Sequence, residues 1–226
     1  VSIAIEDQYS ALGPSDKCPS IAEAAVLSFS DKIDSLVGFI AMDMKATGSK
    51  DPFGLRRSCL GIIRILLEKK IRVSIIDVIN DSYESYEKQN IKLKLSKSET
   101  QKSTVEFVYD RLRVFLKDQG LSQSAVQAIF GVSKFEDILD DVSKINALSK
   151  FMEDPKGNDF LSILKRVRRI LSIEEKKDNI LIIPEPKEEL LEQKEEIILY
   201  KSYVKYSKKT QLLLENEEYI KAMEIF

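Results

Sequence analysis

The most chemically loaded stretch of the chain is SDKIDSLVGFIAMDMKATGSKDPFGLRRSCLG, residues 30–61, which sets Asp31 and Asp34 ahead of Arg56 and Arg57. The two arginines fall near a positive helix end, where the helix dipole does not favour cations, so acidic partners are required. Asp31 and Asp34 are the nearest, and a carboxylate–guanidinium pair between neighbouring antiparallel helices fixes their register. Such a set is either an interhelical ion-pair network or part of a site. Two further stretches carry cations. In DFLSILKRVRRILS, residues 159–172, Lys165, Arg166, Arg168 and Arg169 fill the circumference left by Phe160, Ile163, Leu164, Val167, Ile170 and Leu171. Residues 156–172 hold five basic side chains against one acidic, Asp159, whereas a merely solvated face usually mixes signs. RNA contact and a solvated face both remain open there. Farther on, Lys201, Lys205 and Lys208 share a helical face, interleaved in sequence with tyrosines, among them Tyr203, that can stack on unpaired bases. The competing reading is one long helix, with the acids of residues 185–196 early and the lysines late, as the helix dipole prefers.

These residues need helices to position them. Val26, Phe29, Ile33, Leu36, Val37 and Ile40 recur at helical spacing, with Asp31, Asp34, Gly38 and Ala24 opposite. Ser20 and Glu23 read as the capping box of that helix, which is expected to run to about Met44. Asp51-Pro52 opens the next helix, with Leu55, Cys59, Ile62, Ile63 and Leu66 as its apolar stripe. A third runs from Ser74 to Tyr86. Residues 88–102 are lysine-rich and weakly periodic, which places a linker at 94–102 between domains at 1–93 and 103–226. Helices follow from Ser103 or Thr104, stopped by Gly120, from Ser122 to Phe130, ended by Gly131, and from Phe135 to Met152. The opening valine suggests a missing N-terminal portion. The final Tyr219–Phe226 pattern carries no cap, so the second domain is expected to be truncated at its C-terminus.

Composition narrows the classes. The 226 residues are 43% hydrophobic, enough for a real core, and their 8 Gly and 6 Pro are few for an all-β chain. The fold class is all-α. A net charge of -2 excludes a globally basic nucleic-acid binder but leaves room for local patches. The absence of histidine removes Ser-His catalysis, imidazole base chemistry and the commonest metal ligand together. Two cysteines, Cys18 and Cys59, form no CxxC unit and suit a cytoplasmic protein. No apolar run approaches the roughly 18 residues of a membrane span, so no membrane is expected as a partner.

The run Asp31-Lys32-Ile33-Asp34-Ser35-Leu36-Val37-Gly38, followed by Lys50-Asp51-Pro52-Phe53-Gly54-Leu55-Arg56-Arg57, resembles the signature of bacterial glycyl-tRNA synthetase beta subunits. That signature is an ADK-x-D-x-L-x-G run, a loop, and KDPF-x-LRR. This chain departs from it with Ser30 for alanine and a loop without histidine. The resemblance implies the closing helices of an HD-like domain, followed by helices of the anticodon-binding type. In HD hydrolases a metal is held by a His, a His-Asp pair and a final Asp, and Asp31 would occupy that last position. The resemblance further implies binding of tRNA(Gly) and its presentation to an alpha subunit for ATP-dependent glycylation. The assembly would hold two alpha and two beta subunits, with ATP and Mg used by the whole enzyme and no cofactor bound by this chain. No catalytic or metal-ligating residue is expected in it. Lys165, Arg166, Arg169, Lys201, Lys205 and Tyr203 are the expected tRNA contacts, and Asp31, Asp34, Arg56 and Arg57 a structural ion-pair set. A metal-dependent phosphohydrolase relative and a non-catalytic helical scaffold are the alternatives.

Overall fold

The computed structural model describes residues 2–11, 13, 16–44, 46, 50–178, 186 and 188–225. Pro14 and Ser15, where Gly13-Pro14-Ser15-Asp16 reads as a turn, Thr47–Ser49, which reads as a loop, and Glu185 lie outside them. Helices account for the secondary structure of the described residues: α1 (Ser2–Asp7), α2 (Ala22–Ala41), α3 (Leu55–Lys69), α4 (Ile75–Lys88) and α5 (Lys97–Asp118). They continue with α6 (Gln123–Phe130), α7 (Ile138–Glu153), α8 (Pro155–Asp178), a 3-10 turn at Glu188–Leu190, α9 (Lys194–Glu215) and α10 (Tyr219–Met223). The chain is all-α, as its periodicities require. It divides into two compact units, Val1–Ile145 and Asn146–Phe226.

In the first unit α2 packs on α1, α3, α4 and α5, and α5 packs in turn on α3, α4 and α6. Leu36, Ile40, Leu55, Ile62, Ile63, Leu66, Ile75, Ile79, Leu112 and Leu116 are withdrawn from solvent there. Each such side chain contributes about 1.5–3 kcal/mol on burial. The expected face of α2 is buried at Ile33, Leu36, Val37 and Ile40, but burial extends onto the neighbouring side: Ala24, Ala25, Ser28 and Lys32 are buried as well, while Val26 is 60% exposed. The cause is the segment ahead of α2, which lies on that side. The Lys32 amine donates to Ser28 Oγ at 2.7 Å and to the Gln8 carbonyl at 3.3 Å. Arg64 Nη1 donates to the Gly13 carbonyl at 2.6 Å. Ser20 does not cap α2; its hydroxyl and amide both bind the Asp7 carboxylate, at 2.6 and 2.8 Å. Gly61 makes the approach possible, because a Cβ there would stand 2.5 Å from the Ala11 carbonyl oxygen and 2.7 Å from Lys32 Cε.

Residues 94–102, expected to be a linker, belong to the first unit. The amides of Lys94 and Leu95 both donate to the Ala41 carbonyl at the end of α2, and the Tyr83 hydroxyl donates to the Leu95 carbonyl at 2.9 Å. Ser96 and Glu99 then form a reciprocal capping box that starts α5. Thr100 and Thr104 are buried on the inner face of α5, which explains the weak apolar pattern: two core positions are polar. Farther along, Tyr109 and Ser133 donate to Asp141 Oδ2 at 2.8 and 2.7 Å. Tyr109 also meets Phe130 and Phe135 edge-on, with centroids 5.0 and 4.4 Å away.

In the second unit, Asp154 Oδ1 accepts the Lys156 amide at 2.8 Å and starts α8. Gly157 is pressed against the Phe151 carbonyl, leaving no room for a Cβ, and Phe151 meets Phe160 edge-on at 5.8 Å. The remaining apolar positions of α8, expected to form a core stripe, are not covered by the described residues: Ile163, Leu164, Val167, Ile170 and Leu171 are 40–61% exposed. None of the described residues of α9 is buried, while the adjoining α10 buries Tyr219 and Ala222.

Two outcomes follow from the first unit. Gly61→Ala should destabilise the chain by about 1–3 kcal/mol, since backbone blocks the added methyl; a thermal melt that overlays the parent would refute the close approach. Burial raises the Asp141 carboxyl above the ordinary carboxylate range, against the opposing hydrogen bonds of Ser133 and Tyr109. The folded state therefore keeps this proton longer than the unfolded chain. Its contribution is complete below the ordinary carboxylate pKa and is lost as pH rises through the raised value. Asp141→Asn keeps an acceptor without titrating, so urea denaturation should show variant-minus-parent stability climbing from about pH 4 to 7. A flat difference would contradict it.

Candidate nucleic-acid interface

The acidic face of α2 turns toward α4, and the pairing expected for Asp34 does not form. Asp34 Oδ1 accepts the Ser82 hydroxyl at 3.2 Å, and Oδ2 lies 2.9 Å from the Tyr86 hydroxyl, which is also 3.0 Å from the Asp34 carbonyl. Gly38 stands one turn on because a Cβ there would strike the Tyr86 hydroxyl. Burial, reinforced by the Asp34 hydrogen bond and charge, raises the Tyr86 phenol well above its usual pKa, so it remains a donor. Asp31 is exposed on the same helix. This interaction is hidden in sequence because Tyr86 reads as one side of an apolar stripe with Ile75, Ile79 and Tyr83; the spacing of Asp34 to Gly38 is its one trace.

The second half of the motif is a helix start. Asp51 Oδ1 and Oδ2 accept the amides of Leu55 and Arg56 at 2.8 and 3.0 Å. The helix begins at Leu55, after Gly54 at φ 66°, and not at Pro52 as expected. Phe53 stacks on Phe39 with centroids 4.2 Å apart, tying the turn to α2. Arg57 is exposed, its guanidinium Nη2 3.1 Å from where a Gly54 Cβ would stand, and Arg56 is half-buried in the first turn. The motif thus builds a junction of α2, α3 and α4. No group of three or more imidazole, thiol or carboxylate side chains able to hold a metal occurs among the described residues.

The cationic candidates lie in the second unit. Lys165, Arg166 and Arg169 are exposed on α8. At about 100° per residue they span one arc opposite the apolar stripe, with Arg166 and Arg168 at its two edges. Lys201, Lys205 and Tyr203 are exposed on α9, but positions two apart on a helix face away from one another, so Tyr203 shares no face with either lysine. Lys205 Nζ lies 5.0 Å from the ring centre of Tyr206 instead. Tyr203 lines an apolar groove of about 410 Å³ with Leu191, Leu199 and Tyr200, rimmed by Glu196. Glu196 Oε2 accepts the amides of Glu192 and Gln193, both at 3.1 Å, anchoring the acidic start of α9.

The family profile described as glycyl-tRNA synthetase beta subunit matches residues 1–131. The chain belongs to that family. A glycine--tRNA ligase beta subunit of Ruegeria sp. is 37% identical over 180 residues, which is 80% of this chain and 24% of that protein. That of Rhodospirillum centenum is 36% identical over 181 residues, again 80% of this chain and 24% of its own length. The chain therefore spans about a quarter of the length of the curated relatives it matches. The beta-subunit profile covers α1 to α6, including the whole Asp34–Tyr86 junction, and ends before the cationic arc of α8. No described helix is long and apolar enough to cross a membrane.

The junction predicts a contrast between two conservative probes. Tyr86→Phe removes the phenol that engages Asp34 and should cost about 1 kcal/mol, whereas Arg57→Ala, on an exposed side chain, should stay within about 0.5 kcal/mol. Denaturant midpoints for the two variants measure this; a larger loss from Arg57→Ala would restore the arginine to the centre of the motif.

Proposed function

We propose that this chain is the tRNA-contacting part of a glycine--tRNA ligase beta subunit. It would bind tRNA(Gly) and present it to an alpha subunit for glycylation with ATP and Mg in the cytoplasm, in an assembly of two alpha and two beta subunits. The observation that carries the reading is the single-signed, exposed arc of Lys165, Arg166 and Arg169 on a helix of a chain belonging to this family. An arc of one sign attracts the phosphate backbone, and arginine forks match phosphate oxygens two at a time. On α9, Lys201 and Lys205 would meet backbone on one side, and Tyr203 would act separately because it faces the other way. This chain's part is binding and positioning, with the aminoacylation chemistry supplied by the alpha subunit.

Replacing Lys165 and Arg169 together by alanine should weaken binding of a glycine tRNA transcript and lower the slope of log K against log salt by roughly 0.7 to 0.9 for each phosphate no longer neutralised. Both side chains are exposed, so folding should change by less than about 0.5 kcal/mol, checked by circular dichroism. Unchanged affinity and slope in a folded double variant would return the arc to a solvated face.

A further inference from the structure

Lys194, Lys201, Lys205, Lys208 and Lys209 are all exposed on α9. At about 100° per residue they fall within one arc about 100° wide that runs roughly 22 Å along the helix. Ile198 and Leu212 are the arc's other positions, and no acidic residue of α9 enters it. Several helical cations elsewhere in the chain are answered by a carboxylate one turn away: Arg64 by Glu68, Arg113 by Asp110, Lys144 by Asp140 and Lys177 by Glu174. None of the five lysines of α9 has an acid three or four residues to either side. Lys201, Lys205 and Lys209 instead follow one another at four-residue steps, a like-charge spacing that weakens a helix. The helix dipole does not account for them. Its pull on cations is confined to the last turn, which holds no basic residue, while Lys194 stands at the first, positive end.

We propose that this arc is a track for the phosphate backbone of RNA, which holds the strand without reading its sequence. The inference rests on the tRNA-binding reading above and assigns α9 its share of it. Repulsion among neighbouring lysines is relieved best by an anion long enough to meet several of them at once, and a nucleic-acid strand supplies one charge per nucleotide. Lysine amines are compact point charges whose donors rotate, so they accept phosphates without demanding a single geometry. Sequence is read by other means. A stacked base needs an aromatic ring and a base edge is gripped by a guanidinium fork, and the arc holds neither, since Tyr200, Tyr203 and Tyr206 lie outside it. Contacts of this kind position the nucleic acid and add affinity for any strand. Selection of tRNA(Gly) therefore falls to residues outside the arc.

Fluorescence anisotropy of the purified chain over a salt series tests this, with a labelled glycine tRNA transcript and, separately, a labelled transcript of equal length and unrelated sequence. Both RNAs should bind. Lys201→Gln, Lys205→Gln and Lys209→Gln together should weaken both about tenfold or more and by the same factor, and lower the slope of log K against log salt by roughly 2 to 3. Lys201→Arg, Lys205→Arg and Lys209→Arg together keep the charge and should keep both affinities. All three side chains are exposed, and circular dichroism verifies that the variants fold. Unchanged affinity in the folded glutamine variant, a loss confined to the glycine tRNA, a comparable loss in the arginine variant, or binding of phosphatidylglycerol vesicles without binding of RNA would each overturn the proposal. The arc of α8 is judged separately by its own double variant: parental binding there would remove Lys165 and Arg169 from the interface and leave the α9 track standing.

Discussion

An ammonium group taken out of water organises the first unit. Lys32 is 3% exposed, and burial lowers its pKa, with Asp31 pulling the other way. A buried cation is costly unless its donors are satisfied, so the Ser28 hydroxyl and the Gln8 carbonyl must both be in place. That requirement explains why α2 carries Ala24 and Ala25 one turn before Ser28 and why Gly61 sits opposite the lysine stem. Arg64 repeats the device one helix over, gripping the Gly13 carbonyl while Glu68 Oε1 holds its Nε at 2.8 Å. The segment that precedes α2 is thereby fastened by side chains of α2 and α3.

Much of this was legible in sequence. Helical periodicity placed α2, α3 and α4 nearly correctly, the helix starts at Ser74 and Ser122 were readable, and so was the motif that marks the family. What failed has physical causes. The face of α2 was right at Ile33, Leu36, Val37 and Ile40 but drawn too narrow, because Lys32 and Ser28 are polar residues in the core, where a pattern search looks for apolar ones. Residues 94–102 looked like a linker because Thr100 and Thr104 are core positions without greasy side chains. Asp34 was matched to arginines by charge, while the structure answers it with two hydroxyls, and hydroxyl partners leave no charge pattern to find. The Ser20-Glu23 capping box was correct in form but lost to Asp7, a competitor far away in sequence.

The two units also separate two kinds of inference. In the first, side chains are buried and mutually constrained, and the family profile rests there. In the second, α8 and α9 form because their local sequences favour helix, yet local propensity says nothing about what an exposed apolar stripe should touch. Sequence reading assumed that a clean stripe means a core. Here the stripe is exposed among the described residues, and the cations lie on the opposite side of the same helix.

The two thiols sit at different depths. Cys59 is sealed from solvent, and desolvation holds its pKa far above the ordinary thiol value, so it becomes reactive only when the α2–α5 core opens. Cys18 is partly exposed, its pKa pushed up to about 11, and packs at the edge of the small cluster of Ala11, Ala25 and Ile65 that the buried lysine helps to assemble. Alkylation of the unmodified chain therefore runs on two clocks. The faster one times the peeling of the leading segment from α2, and the slower one times global opening, so a single reagent reads how far the fastening at Lys32 is shared with the rest of the bundle.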